Sequence, residues 1–273
     1  MKQSLPGRLG DILIDVRTPG AQPPGPAVLI VPGFKGFKDW GMFPAFAERL
    51  CREGFTSVSF NLSGSGVDDA GHFTRLDRFR RNTFSTEVAD ILAVLAGLER
   101  GKLGVPPPSG VAIVGHSRGG GMAILAASQA AGVRALVTWS AISTVQRWTP
   151  GELARWRRDG YLSILNTRTG EQLPLGPDTL HDVEKHAERR LNILAAAATL
   201  RVPWLLIHAA ADESVPLAEG QALAAAAPSP TTRVLLIEGA GHTFGAVHPF
   251  AGMTPALEQV FAESTTWLRG QLR

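Results

Sequence analysis

The sequence predicts an α/β protein with a mostly parallel, doubly wound sheet and helices on both of its faces. Three observations support this prediction. Short runs rich in β-branched and aliphatic residues alternate with stretches of helical periodicity along most of the chain. The run at residues 27–31 is apolar throughout, as is typical of a strand buried on both faces. The spacing between successive strands is that of βαβ units.

The composition is that of an ordinary globular protein with a sizeable core. The chain has 273 residues, 44% of them hydrophobic, and its formal net charge is +3. The densest basic run contains Arg75, Arg78, Arg80 and Arg81 but also encloses Asp77. We interpret this run as a solvated loop face rather than an anion site. Nucleic-acid binding therefore has little support, although the sequence pI is basic.

The terminal segment and the cysteine content bear on location. The first residues lack the apolar core of a signal peptide, and no run of eighteen apolar residues occurs. The default expectation is a soluble cytoplasmic protein with no membrane partner. The single cysteine, Cys51, excludes an internal disulfide framework, and we expect it to be a small buried residue late in a helix.

The elements before the central motif follow from local patterns. Residues 11–18 alternate and predict an edge strand, and residues 27–31 predict a buried strand. A helix is expected at 43–53, a strand at 55–60, and a long connection at 61–82 that is rich in glycine and then in arginine. Residues 83–99 form a helix in this interpretation, because their apolar side chains recur on one face.

The second half continues the same alternation. Strands are expected at 133–139, 202–208 and 232–238, and helices at 217–226 and 254–272. The segment 143–200 breaks the rhythm, so we predict a core formed by residues 1–142 and 201–273 with a cap insertion at 143–200. Within the insertion we expect a hairpin at 161–175, turning through Thr169-Gly170, and a helix from Leu180 onward. An elaborated crossover remote from the site is the alternative to a cap.

The central motif is Gly-His-Ser-Arg-Gly at residues 115–119. It follows a β-branched run that begins at Val111 and precedes an Ala-rich helical stretch. A serine on such a strained strand-to-helix turn is lifted clear of the sheet, and the N–H groups of the new helix point at the same place. This context indicates that Ser117 is a nucleophile.

A serine nucleophile needs a base and an acid that follow it in the order Ser, Asp or Glu, His. After the strand at 202–208 the chain offers Asp212 and Glu213, of which Asp212 is favoured by its place in the loop. Glu238 is a weaker candidate. After the last strand, glycines precede His242, which we predict to be the base, with His248 as its rival.

The other histidines have more ordinary interpretations. His116 is expected to point into the structure and His208 to be a hydrogen-bonded core residue. Three more lie in polar segments and are expected to be solvated: His72, His181 and His186.

The oxyanion of an acyl-transfer reaction needs two N–H donors. We assign them to the backbone N–H groups of Arg118, directly after the nucleophile, and of Phe34, in the loop after the strand at 27–31. Only backbone groups are required, so the side chains are free to shape the pocket. Phe34, Trp40 and Trp139 are candidates for its lining, with core packing as the alternative.

With these residues the chain resembles the α/β-hydrolase superfamily, and within it the dienelactone-hydrolase-like and prolyl-oligopeptidase-like serine esterases. The resemblance runs from about residue 27 to the C-terminus. Two positions depart from the family pattern: Pro32 replaces a histidine in the oxyanion loop, and Ala209 replaces a glycine before the acid. Dienelactone hydrolases proper use a cysteine nucleophile, so the serine here implies ester hydrolysis.

The resemblance implies the α/β-hydrolase fold and a serine hydrolase that cleaves small carboxylic esters, with aromatic esters of the feruloyl type as one sub-case. It implies no metal and no organic cofactor. A peptidase acting on small peptides or aminoacyl amides is the alternative enzyme, and a non-catalytic binding protein is the alternative of another class. The oligomeric state, a homodimer included, stays open.

Overall fold

The computed structural model describes residues 1–20, 25–167, 169–228 and 230–272. The strands of the main sheet are β1 (Lys2–Pro6), β2 (Asp11–Arg17), β3 (Ala27–Val31), β4 (Thr56–Asn61), β5 (Val111–His116), β6 (Val133–Trp139), β9 (Trp204–Ala209) and β10 (Thr232–Ile237). A separate hairpin contains β7 (Leu162–Leu165) and β8 (Gln172–Leu175). The helices are α1 (Met42–Arg52), α2 (Leu76–Arg81), α3 (Phe84–Glu99), α4 (Arg118–Ala127), α5 (Pro150–Asp159), α6 (Pro177–His186), α7 (Ile193–Ala198), α8 (Leu217–Ala226) and α9 (Pro255–Leu272).

The sheet has the order β1-β2-β4-β3-β5-β6-β9-β10 within the described residues. Strand β2 pairs antiparallel with β1 on one side and with β4 on the other, and every other pairing in this sheet is parallel. The predicted α/β class with a mostly parallel sheet is therefore confirmed. Strand β5 lies near the middle, between β3 and β6, and all of its residues are buried.

Alternate residues of the central strands face two separate cores. In β3, Leu29 packs with residues of α3 and α4, while Val28 and Ile30 pack with residues of α1 and α9. Helices therefore cover both faces of the sheet. This explains why the sequence of β3 is apolar throughout, since neither face of the strand meets water.

Several sequence-based expectations were wrong in detail. Strand β2 is not at the edge, because β1 pairs with its outer side. The hydrophobic pattern of β1 is too weak to predict a strand, since its residues alternate between exposed and half-buried. The long connection at 61–82 contains α2, so Arg78, Arg80 and Arg81 lie on a helix rather than a loop. Phe79 is the buried residue of this helix. Cys51 is half-buried, with its Sγ 3.6 Å from Ser57 Oγ, rather than fully buried.

The segment at 143–200 contains α5, the β7–β8 hairpin, α6 and α7. The hairpin was predicted, whereas α5 was not, although its Thr149–Glu152 capping box is visible in the sequence. The buried Trp156 and Leu173 pack in an apolar cluster with Phe37 and Phe79. These two phenylalanines belong to the connections that follow β3 and β4. The insertion thus packs against the loops at the carboxyl ends of those strands, and its boundaries as a separate cap stay a prediction.

Candidate active site

Ser117 occupies the sharp turn between β5 and α4. Its φ of 57° and ψ of −125° lie outside the regions that L-residues normally adopt. Its N–H donates to the carbonyl oxygen of Trp139, 2.8 Å away. A Cβ at Gly119 would lie 2.3 Å from the carbonyl oxygen of Pro32, so only glycine permits α4 to start so close to the loop after β3. The predicted strained elbow is present.

The structure brings Ser117, His242 and Asp212 together in one line of hydrogen bonds. Asp212 lies in the loop after β9 and His242 in the loop after β10. The Nδ1 of His242 is 2.8 Å from Asp212 Oδ2, and its Nε2 is 2.9 Å from Ser117 Oγ. Because the carboxylate only accepts, Nδ1 carries the proton and Nε2 is free to accept from the Ser117 hydroxyl. This tautomer is the one that a general base requires.

Asp212 is held by several donors besides His242. Its Oδ1 accepts the N–H groups of Ser214, at 2.9 Å, and Val215, at 2.8 Å. Burial alone would raise its pKa, but the bonds from His242, Val215 and Ser140 outweigh burial and lower the pKa to about 2. Asp212 is therefore ionised at neutral pH. The competing acids Glu213 and Glu238 are both exposed.

The remaining histidines take other positions. His116 is buried, and its Nε2 donates to the backbone oxygen of His242 at 2.9 Å. Burial and the neighbouring His242 lower the pKa of His116 to about 3, so it stays neutral and supports the histidine loop from below. His208 is fully buried, with Nε2 donating to the Val215 oxygen. The rival His248 accepts the Gly41 N–H at 3.1 Å.

The two residues assigned to the oxyanion hole flank Ser117. The N–H of Arg118 is the first of α4, so it has no acceptor within its own helix. Phe34 follows Gly33, whose backbone is packed against the nucleophile: a Cβ at Gly33 would lie 2.9 Å from Ser117 Cβ. This arrangement can present two backbone donors to an oxygen beside Ser117, as acyl transfer requires.

A cavity of about 590 Å³ opens above these residues. Aromatic side chains line much of it: Phe34, Trp40, Phe43, Phe84 and Trp148. Polar side chains from the insertion line another part of it: Arg147, Glu152, Asn166 and Thr167. The expectation that Trp139 lines the pocket was wrong. Trp139 is fully buried against Phe46 and Phe261, because its side chain packs into the core formed with α1 and α9 instead of reaching the cavity.

Sequence reasoning missed the polar contacts below the elbow. The Arg118 side chain is buried and pairs with Glu87 of α3, although Arg118 also borders the cavity. Asn82 in turn donates to Glu87. The available signal was a charged residue, Glu87, beside the apolar face of the helix predicted at 83–99.

Comparisons with known proteins agree with this fold. The family described as "alpha/beta hydrolase fold" matches residues 26–161. An Escherichia coli protein, described as an uncharacterized 31.7 kDa protein in the traX-finO intergenic region, is 25% identical over 96% of each chain. The family match and the sheet topology together show that the chain has the α/β-hydrolase fold.

Solved structures of hydrolases and esterases share this fold. Est1E from Butyrivibrio proteoclasticus, in a structure with ferulic acid bound, has a TM-score of 0.74 and 18% identity over 96% of this chain and 95% of that one. A dienelactone hydrolase from Anabaena variabilis has a TM-score of 0.63 and 17% identity over 100% of this chain and 99% of that one. At these identities the likeness shows a shared fold.

Among the described residues, His, Cys, Asp and Glu side chains form no group of three or more that could hold a metal ion. Within residues 1–20, 25–167, 169–228 and 230–272, no helix is long and apolar enough to span a membrane.

Proposed function

We propose that this protein is a serine hydrolase that cleaves carboxylic esters through an acyl-enzyme on Ser117. The observation that carries the proposal is the continuous line from Ser117 Oγ through His242 to Asp212, with both contacts under 3 Å. A serine beside a correctly oriented imidazole, at the mouth of a cavity, is the arrangement that nucleophilic acyl transfer needs.

In the first half-reaction Ser117 Oγ attacks the ester carbonyl while its proton passes to His242 Nε2. Asp212 stays ionised and stabilises the imidazolium that forms. The carbonyl oxygen becomes an oxyanion and accepts from the N–H groups of Phe34 and Arg118. The intermediate then collapses, the bond to the alcohol breaks, and His242 returns its proton to the leaving alkoxide.

In the second half-reaction water enters beside His242. The imidazole takes a proton from this water as its oxygen attacks the acyl carbon, and the same N–H groups hold the second oxyanion. Collapse releases the carboxylic acid and returns the proton to Ser117. In this cycle the protein supplies the nucleophile, the base and the oxyanion donors, and water is the second reactant.

The lining of the cavity supports small esters with an aromatic group as the first substrates to test. Phe34, Phe84 and Trp148 offer ring faces and edges to a planar acyl or alcohol group. Est1E, of the same fold, has been solved with ferulic acid, so feruloyl-type esters belong in the first panel. Aminoacyl amides belong in the same panel, because the same groups cleave amides when the leaving amine is protonated.

The test is the Ser117→Ala variant. We expect its turnover of short-chain nitrophenyl esters to fall by at least about 10⁴-fold, because the nucleophile is removed while the backbone donors remain. The matched control is Ser128→Ala, an exposed serine at the other end of α4, which should keep wild-type turnover. Near-wild-type turnover in Ser117→Ala, or failure of a fluorophosphonate probe to label the folded wild type at Ser117, would refute the proposal.

A further inference from the structure

The Arg118 side chain lies in an unexpected environment for a cation. It is 6% exposed, and its Nε donates to Glu87 Oε2 at 2.9 Å, with the Glu87 side chain 5% exposed. All ten residues of α4 are buried, and the helices α3 and α4 otherwise meet through apolar side chains. The ion pair therefore joins α3 to the first residue of α4, directly after the nucleophile elbow.

The pair extends into a chain of hydrogen bonds that reaches the insertion. The second oxygen of Glu87 accepts from Asn82 Nδ2 at 2.7 Å. The backbone oxygen of Asn82 accepts from the hydroxyl of Thr179, in α6 of the insertion, at 2.5 Å. The side chain of the first residue of α4 is thus linked to α3 and, through it, to the segment at 143–200.

The guanidinium also contacts two aromatic rings. Its Cζ lies 3.8 Å from the ring centroid of Phe84 and 5.1 Å from that of Phe34. Phe34 and Arg118 are the two residues to which the oxyanion donors are assigned. The side chain of one proposed donor residue therefore packs against the side chain of the other, and a displacement of Arg118 would disturb both.

Stability does not explain this pair. A buried ion pair loses its hydration, and replacing both partners by apolar residues of similar volume is often neutral or stabilising. Moreover, Arg118 Nη2 is buried and has no hydrogen-bond partner in the part of the chain that the structure describes. A positioning role is the simpler explanation, because the Arg118 side chain that Glu87 holds belongs to the first residue of α4.

We propose that Glu87 and Arg118 are positioning residues, whose side-chain pair holds the oxyanion donors at 34 and 118 in place for the reaction at Ser117. The inference rests on the proposed function, since an oxyanion hole matters only if acyl transfer occurs. It concerns the side chains alone, because every variant at position 118 except proline retains the backbone N–H.

The experiment uses the double variant Glu87→Leu/Arg118→Met, which removes both charges and keeps the approximate volume. We expect kcat for a nitrophenyl ester to fall about 10- to 100-fold with KM changed less than about twofold, because misplaced donors weaken binding of the transition state alone. Affinity for a phenylboronic acid, which forms a tetrahedral adduct on serine, should fall by a similar factor. The melting temperature should be unchanged or higher.

Two further variants separate positioning from folding. Arg118→Lys keeps a cation near Glu87 but lacks the planar guanidinium group, so its kcat should lie between those of the wild type and the double variant. Asp90→Asn is the matched control. Asp90 is another buried carboxylate on α3, bonded to the N–H groups of Arg8 and Ser63 instead of the elbow. Its kcat should stay near wild type even if its melting temperature falls.

The outcomes are distinct. If the wild type turns over esters and the folded double variant keeps its kcat and its boronic-acid affinity, the positioning role is refuted and the proposed function stands. If the double variant does not fold, an unchanged kcat in folded Arg118→Lys refutes the role in the same way. If the wild type neither cleaves esters nor binds the boronic acid, both proposals fall together.

Discussion

The nucleophile elbow and the insertion at 143–200 line the same cavity but are built differently. The elbow joins a fully buried central strand to a fully buried helix, and its turn is held by backbone contacts too close for larger residues. The insertion contributes short elements that are partly exposed, such as α5 with Trp156 as its buried residue. The proposed nucleophile thus lies on the rigid part, whereas one part of the cavity wall comes from a segment with more freedom to vary.

This contrast predicts that substitutions in the rigid part change kcat, whereas substitutions in the insertion change selectivity. The loops after β9 and β10, which carry Asp212 and His242, belong with the rigid part in this comparison. A large kcat effect from a substitution in the insertion, or a pure KM effect from a substitution in those loops, would contradict the comparison. The predictions below run from the largest effect to the smallest.

Among the variants compared below, Asp212→Asn should have the largest effect. The amide cannot hold His242 in the tautomer that accepts from Ser117, so kcat should fall by about 10³- to 10⁴-fold. The matched control is Glu213→Gln, the exposed neighbour, which should stay within twofold of wild type by steady-state kinetics. Equal losses in the two variants would mean that the acid has been assigned wrongly.

Trp148→Ala should have an intermediate effect confined to selectivity. Trp148 packs edge-on against Phe84, with ring centroids 6.3 Å apart, and lines the cavity from the insertion. We expect kcat/KM for a methyl ester of an aromatic acid to fall about tenfold relative to that for ethyl acetate, because an aromatic contact is lost. Tyr161→Ala, also in the insertion but outside the cavity lining, should leave this ratio unchanged. An unchanged ratio in Trp148→Ala would show that Trp148 of the insertion does not contribute to substrate selectivity.

The smallest effect concerns acid stability. Since the pKa of Asp212 falls from 3.8 to about 2 on folding, the unfolded state takes up the proton first as the pH drops. The stabilisation from ionised Asp212 is therefore present above about pH 4 and is lost as the pH falls towards 2. It amounts to about 2 kcal/mol by the usual conversion of a pKa shift.

Urea unfolding at pH 5 and pH 2 checks this value. The wild type should lose about 2 kcal/mol more unfolding free energy over that interval than Asp212→Asn, whose side chain does not titrate. Glu213→Gln should lose as much as the wild type. Parallel losses in the wild type and Asp212→Asn would show that the native hydrogen bonds do not favour the ionised carboxylate.

The same contrast explains what the sequence could predict. The strand at 133–139 and the helix at 217–226 were predicted with their observed bounds, because the strand is a nearly continuous apolar run and the Ala-rich helix begins directly after Pro216. Ser117, Asp212 and His242 were chosen from motif order and loop position, and the structure brings them into contact. Their catalytic roles stay a prediction until tested.

What the sequence did not reveal depends on contacts between distant segments. Strand β1 was missed because only its pairing with β2 distinguishes it from a polar tail. Trp139 was offered as a pocket residue because the sequence does not show whether an aromatic residue at the carboxyl end of a strand faces the cavity or packs in the core. The pairing of Arg118 with Glu87 joins residues 31 positions apart, and no local pattern couples them.

The most direct test of the account is to capture the covalent intermediate. Wild-type protein mixed with excess nitrophenyl ester and quenched rapidly in acid should gain the mass of one acyl group, located by peptide mass spectrometry on Ser117. The Ser117→Ala variant should gain none. Steady turnover by the wild type with the acyl group absent from Ser117, or found on another residue, would contradict the mechanism.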